Sequence, residues 1–342
     1  MARFTLSRKK VMEQHDKVAE LADVVSYSSK TNPAVTPILE EERDCLFSIH
    51  TEHELKHVKD CSRILFLAQG LTQAQLDRLA RKGITRYVVD NEEDLDTVLA
   101  WLEGHDRQIS LMLRVRLKER SVRTERYFVF GMPAATVEKR IRELEDHEKV
   151  KELGIHFHRK SQNVAEWNLT YEIQEMFNED TLNRISVLNI GGGLPSVYAN
   201  TNEDVFTGIY KKVEELKQWL HRLGVKLMME PGRYIAAPAG KLHTTIKLVY
   251  ENTIIVDASV YNSDMDALIV PVKLLVEGEL EKGNGKPYII KGTTPCNMDL
   301  YRYRAYLEDP RKGDELVFLN AGAYNFSTDF CDLETLETEV VE

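Results

Sequence analysis

Between about residues 20 and 240, short runs of β-branched or apolar residues alternate with longer stretches whose apolar positions recur at helical spacing. That alternation predicts β-α units on a parallel sheet. The runs are VVSYSS (24–29), CLFSI (45–49), RILFLA (63–68), ITRYVV (84–89), ISLMLRVR (109–116), LGIHFH (153–158), ISVLNI (185–190) and VKLMME (225–230). Between them lie helical patterns such as 137–149 and 206–223. In the second, Phe206, Ile209, Tyr210, Val213, Leu216, Leu220 and Leu223 share a face, and Gly224 caps the end. Eight consecutive units in this length fit a closed (β/α)8 TIM-like barrel better than an open doubly wound sheet, which remains the alternative.

After Ala239 the pattern changes. KLHTTIKLVY, NTIIVD, ALIVPVKLLV, PYIIKG and DELVFLN read as strands separated by turn residues, with no comparable amphipathic helix. The expected organisation is therefore an α/β barrel over 20–240 followed by a smaller all-β domain over 241–342. Residues 1–19 either form a helix or join that second domain. The acidic stretch LETLETEVVE (333–342) reads as solvated.

Composition narrows the function. The 342 residues carry 45 Lys+Arg against 55 Asp+Glu, a formal charge of −10, which disfavours a nucleic-acid or anionic-membrane binder. Cys45, Cys61, Cys296 and Cys331 have neither disulfide-framework nor zinc-finger spacing. With no apolar leader and no uncharged apolar window of about 18 residues, the chain reads as cytoplasmic and free of membrane.

Barrel active sites lie at the C-terminal ends of the strands. There the chain places Lys30, Ser48, Arg114, Arg116, His158, the run Gly191, Gly192, Gly193, and Glu230 followed by Pro231, Gly232 and Arg233. Consecutive glycines let backbone amides approach an anion without Cβ interference. A phosphate bound by the loops after strands seven and eight recurs in barrels, and Arg233 is placed to balance its charge. Lys30 ends a small, apolar strand where a lysine can act as a nucleophilic amine. Glu230 ends another, and a carboxylate there calls for a cationic partner. An amine, a phosphate cradle and a carboxylate on one rim match the contacts of pyridoxal 5'-phosphate, whose ring nitrogen a carboxylate keeps protonated. Each feature alone has a plainer reading, as surface lysine, glycine turn or internal ion pair. His156 is read as an ordinary strand histidine facing away from His158, and Asp90 as a helix cap.

Together these segments resemble the fold-type III pyridoxal phosphate decarboxylases, the ornithine, diaminopimelate and arginine decarboxylase family, over nearly the whole chain. YSSKTNP resembles the segment with the cofactor-binding lysine (Lys30), and FHRKS the segment whose histidine stacks on the ring (His158), with Ser161 nearby. LNIGGGLP is similar to the phosphate-binding loop. EPGR is similar to the motif whose Glu meets the pyridine nitrogen (Glu230) and whose Arg meets the phosphate (Arg233). AGAY implies a phosphate-contacting Tyr324. PCNMD implies Cys296 as proton donor and Asp299 as a substrate contact, supplied across a homodimer with shared active sites. VDASVYNS implies that Tyr261 lines the substrate pocket.

The implied reaction is loss of the α-carboxylate from an amino acid, with a basic one favoured and diaminopimelate the rival. An amino-acid racemase on the same fold and a non-catalytic cofactor carrier are the alternatives. The chain departs from the family where Asp299 follows Cys296 by only three positions, where Arg159 and Lys160 replace small residues, and where Ser48 replaces a common Asp. These departures point to an altered substrate. A distal amine calls for Asp299 or Asp264, and a distal carboxylate for Arg159, Lys160 or Arg302.

Overall fold

The computed structural model describes residues 1–117 and 129–342. Strand β1 (Arg3–Ser7) leads into a helix, Arg8–Leu21, whose first turn is capped by Ser7 Oγ accepting from Lys10 N. Eight parallel strands then close a barrel: β2 (Val24–Ser28), β3 (Leu46–Ile49), β4 (Ile64–Ala68), β5 (Arg86–Val89), β6 (Ile109–Arg114), β7 (Val150–His156), β8 (Val187–Asn189) and β9 (Lys226–Met229). Pairing of Val24 with Met228 and Val25 with Met229 joins the last strand to the first, so the open-sheet alternative is excluded.

The period of two along each strand divides the apolar residues into two cores. Leu65, Val88, Met112, Val187 and Met228 point inward and form a closed plug inside the barrel. Phe47, Phe66, Tyr87, Leu113, Ile155 and Leu188 lie in the larger core that packs the helices around it. Helix Val205–Arg222 shows how the sequence pattern is used: Ile209, Val213, Leu216, Trp219 and Leu220 are buried, and Gly224, at φ +74°, supplies the left-handed turn that follows.

The second sheet has eight strands. β10 (Gly240–Tyr250), β11 (Thr253–Val256), β12 (Leu275–Val276), β13 (Lys286–Lys291), β14 (Leu300–Leu307) and β15 (Glu315–Leu319) run in the order β12-β15-β10-β11-β13-β14. β1 adds antiparallel to β10, and β16 (Thr338–Val341) adds parallel to β1. The first residues thus both join the sheet and form a helix.

Two sequence expectations fail here. The 333–342 stretch is not merely solvated. Its acidic side chains face water while its backbone pairs with β1, and Phe4 N donates to Glu337 O at 2.8 Å. ALIVPVKLLV is not one strand. A short helix, Asp266–Ile269, follows the capped turn Val260–Ser263, and Pro271, which has no N–H for a ladder, separates it from β12.

The two units are joined where the chain enters β10. Ala321 N donates to Gly240 O at 2.9 Å and Asn32 Nδ2 donates to Gly322 O at 2.8 Å. A Cβ on Gly322 would stand 2.0 Å from Ala236 O and 2.8 Å from Gly240 N. Gly322→Ala therefore forces backbone apart at this seam and should cost about 1–3 kcal/mol, read as a lower midpoint in urea unfolding. An unchanged midpoint would show that the seam is loose.

Candidate active site

One step beyond the apolar plug, the inward positions turn polar: Ser26, Ser48, Asp90, Arg114, His156, Asn189 and Glu230. Ser26 and Ser48 are buried and share a hydroxyl bond of 2.8 Å, so Ser48 is part of the packing. Arg114 Nη1 donates to Asp90 Oδ1 at 2.9 Å, and its guanidinium lies 4.9 Å from the Phe130 ring centroid. Asp90 is thus not a helix cap. The cap is Asn91, which accepts from Asp94 N, and Asp90 stands inward because it alternates with buried Val89.

Glu230 is 2% exposed and forms the centre of this layer. Asn189 Nδ2 donates to its Oε1 at 2.7 Å, and His156 Nε2 lies 3.4 Å from the same oxygen. Burial alone would push the carboxyl up, but His156, His158 and Asn189 outweigh it and hold Glu230 down at about 2. Burial keeps both imidazoles neutral, pushing His158 down to about 3 and lowering His156 as well. His156 is therefore a site residue that sequence reasoning assigned to the wrong face. Residues two apart on a strand point the same way, and that spacing from His158 was the available signal. The two rings are near parallel, 26° apart, with centroids at 6.5 Å. Among the described residues, neither nitrogen of His156 makes a hydrogen bond.

The glycine run wraps the next level. Gly192 N donates to His158 Nδ1 at 3.2 Å, which fixes the imidazole ring and leaves its proton on Nε2. A Cβ at Gly191 would meet His158 Nδ1 at 2.5 Å, and one at Gly192 would meet Glu230 O at 2.8 Å. Side chains here would fill the space beside the ring. Asn189 ties the layers together, since its Oδ1 accepts from Gly191 N at 2.9 Å while its amide holds Glu230.

Lys30, His158, Ser161, Gly192, Gly193, Glu230, Arg233 and Tyr324 line one narrow cleft. Lys30 and His158 also border a wider cavity of about 360 Å3 at the barrel mouth, with Asp90, Arg114 and His156 in its wall. The Lys30 amine lies 3.1 Å from His50 Nε2, a second residue that sequence reasoning missed. Tyr324 comes from the other sheet, held by its backbone N–H donating to Thr31 O at 2.9 Å.

Arg233 is 3% exposed and already engaged. Its Nε donates to Ser161 Oγ at 2.9 Å, Nη1 to Tyr198 Oη at 2.9 Å and to Asp266, and Nη2 to Asp266 Oδ1 at 2.8 Å. Asp266 and Tyr198 hold its pKa above the usual arginine value in spite of burial. Four bonds out of the five N–H groups of a guanidinium leave one for any ligand.

The structure brings neither Cys296, Asp299 nor Tyr261 to the walls of these two cavities. Tyr261 Oη and Cys296 Sγ are 3.0 Å apart, and Tyr261 stacks on Phe330 at 3.9 Å. That bond lowers Cys296 below the usual thiol value and pushes Tyr261 up to about 12. Asp299 is 1% exposed, and its oxygens accept from Ser259 Oγ, Val260 N, Thr294 N and Thr294 Oγ1 at 2.6 to 3.0 Å. These donors make it a loop-shaping residue.

The residues fit pyridoxal 5'-phosphate: an amine, a buried carboxylate and a neutral imidazole on one cleft, with a glycine loop that has no room for side chains against His158 and the Glu230 backbone. Residues 8–237 match the family model "pyridoxal-dependent decarboxylase, pyridoxal binding domain". The chain belongs to the pyridoxal-dependent decarboxylases. Diaminopimelate decarboxylase of Aquifex aeolicus is 24% identical over 78% of this chain, and the match spans 66% of that relative, just under two thirds of its length. The Bacillus subtilis diaminopimelate decarboxylase is 23% identical over 94% of this chain and 80% of its own. Lysine/ornithine decarboxylase of Vibrio vulnificus, solved with cadaverine, superposes with a TM-score of 0.81 at 20% identity, covering 100% of this chain and 95% of that one. Among the described residues, no helix of this chain is long and apolar enough to cross a membrane.

The neutral state of His158 makes this chain acid-sensitive. Its imidazole is protonated below about pH 6.5 when unfolded, but only near pH 3 when folded. Unfolding therefore takes up a proton across that window, and stability falls as pH drops through it, by up to about 1.4 kcal/mol per pH unit for this group. Urea midpoints measured from pH 7.5 to 5 should decline, and His158→Phe should flatten the slope. A slope that the substitution leaves unchanged would assign the effect elsewhere.

Proposed function

We propose that this chain removes the α-carboxylate of a basic amino acid of the lysine, ornithine or arginine type, with Lys30 as the cofactor lysine. The observation that carries the reading is Glu230, a buried carboxylate on the same cleft as the Lys30 amine. When bound, pyridoxal 5'-phosphate supplies an aldehyde for amines and a ring that accepts the electron pair of the broken carbon–carbon bond.

The chain's own residues do the rest. Lys30 presents its amine at the junction of the cleft and the wider cavity. Glu230 holds a proton at the ring nitrogen, and its own charge is kept by Asn189. His158 offers a flat, uncharged face fixed by Gly192. Gly193, Ser161 and Tyr324 meet the phosphate. Arg233 donates to Ser161 Oγ and so turns that hydroxyl's own proton toward the cleft, while contributing one N–H itself. Arg114, paired with Asp90, borders the wider cavity as a cofactor contact.

The basic side chain is favoured by what the arginines are doing. Arg159 is held by Glu166 at 2.9 Å and by Glu172, and Arg302 makes a two-pronged pair with Glu279 at 2.6 and 2.8 Å. Both guanidiniums are neutralised within the chain, which disfavours either of them as the partner of a second substrate carboxylate. Cys296 would return the proton to the substrate carbon, and Tyr261 and Asp299 hold its loop and the adjoining turn. Since these residues lie off the cavity walls of their own chain, the reading places them at the site of a second copy in a homodimer.

The full chain, loaded with cofactor and given a panel of amino acids, should release carbon dioxide from a basic one, with the amine product identified by mass spectrometry. Exchange of the α-proton without carbon dioxide would make it a racemase, and no turnover of either kind would leave a carrier. Glu230→Gln should lower kcat by about 10²-fold or more, with Glu230→Asp recovering part of it. Mixing inactive Lys30→Ala and Cys296→Ala proteins should restore activity if sites are shared between subunits; a mixture as inactive as its parts would place both residues in one chain.

A further inference from the structure

Lys30, His50 and Glu54 form a line at the mouth of the barrel. The only hydrogen bond of the Lys30 amine among the described residues is to His50 Nε2, at 3.1 Å. His50 Nδ1 lies 3.7 Å from Glu54 Oε2, and among the described residues neither of these two buried atoms has a hydrogen bond elsewhere. Glu54 is held for this arrangement, because Thr51 Oγ1 donates to its other oxygen at 3.2 Å. Burial pushes the Glu54 carboxyl up, but His50 and Thr51 outweigh that and hold it below its usual value. The local chain explains the geometry. His50 directly follows β3 and continues the inward alternation of Leu46 and Ser48, and a short turn, Glu52–His57, brings Glu54 back beneath it.

We propose that His50 is the acid/base partner of Lys30 and that Glu54 positions it, so that the three act as a relay moving the proton of the lysine amine. The inference rests on the reading of Lys30 as the cofactor lysine. An ammonium cannot attack an aldehyde carbon. In the proposed step Lys30 Nζ passes one proton to His50 Nε2, and the freed electron pair forms the carbon–nitrogen bond. The aldehyde oxygen then leaves as water with two protons, the one returned by His50 and a second from Nζ, which keeps its third proton and the positive charge. One carbon–oxygen double bond is exchanged for one carbon–nitrogen double bond, with no oxidant or reductant. Glu54 stabilises the imidazolium in between, as a carboxylate behind a histidine does in other proton relays. Arg114 and Asp90 border the same cavity as a closed pair, and His156 and His158 lie on its other wall.

The test measures cofactor capture, not turnover. The full-length chain, freed of cofactor, is mixed with pyridoxal 5'-phosphate, and the rise of visible absorption is followed in a stopped-flow instrument. The adduct is then reduced with borohydride and located by peptide mass spectrometry. His50→Gln should slow capture by about 10²-fold, Glu54→Gln should slow it less, and both should still place the adduct on Lys30. Added imidazole should speed capture in His50→Gly, a rescue that a purely structural role would not give. An adduct on Lys30 formed by His50→Gln at the wild-type rate overturns the relay and leaves the cofactor lysine standing. Absence of any adduct on Lys30 in the wild-type chain overturns both.

Discussion

Keeping Glu230 ionised is the constraint around which the barrel is arranged. An isolated carboxylate buried to this depth costs several kcal/mol in lost hydration, and it persists only where fixed donors replace water. Asn189 supplies one such donor, and His156 is packed against the same oxygen. Asn189 also fixes the start of the glycine loop, and the loop fixes His158. One residue's solvation requirement thus sets the positions of three strand ends. On the proposed reading, a protonated ring nitrogen is the cation that would meet the carboxylate from the cleft.

Much of this was legible in the sequence, for physical reasons that can be named. The barrel strands are buried on both sides, so they stand out as apolar runs, and Lys30, His158, the glycines and Glu230 follow those runs directly. What escaped was whatever depended on partners distant in the chain. Asp90 looked like a cap until Arg114 was placed beside it. Arg233 looked free for phosphate, and only the fold shows Asp266 in its fork. Asp299 accepts from four internal donors, in the Ser259–Val260 turn after β11 and at Thr294 after β13, which spacing alone does not reveal. His156 is different, since the period of two already placed it with His158.

The second sheet does more than cover the barrel. Asn32 and Thr31, immediately after Lys30, bind the 322–324 turn through Gly322 O and Tyr324 N. The segment carrying the amine and the segment carrying Tyr324 are therefore clamped to each other, and a shift of the sheet would move both. The Tyr324 ring also lies 5.1 Å from the Arg233 guanidinium, a cation–π contact that stiffens the same corner.

The pairing of β1 has a bearing on the order in which this chain can mature. Its partners, β10 and β16, are separated from it by the entire barrel. During synthesis the Arg3–Ser7 segment emerges before either of its partners: β10 is not made until the ribosome has passed Gly240, and β16 not until Thr338. For that interval it is a bare edge, competent to pair with a strand from another nascent chain. The barrel can assemble behind it from local β-α contacts, and joining of β16 then covers the backbone edge left open until that point.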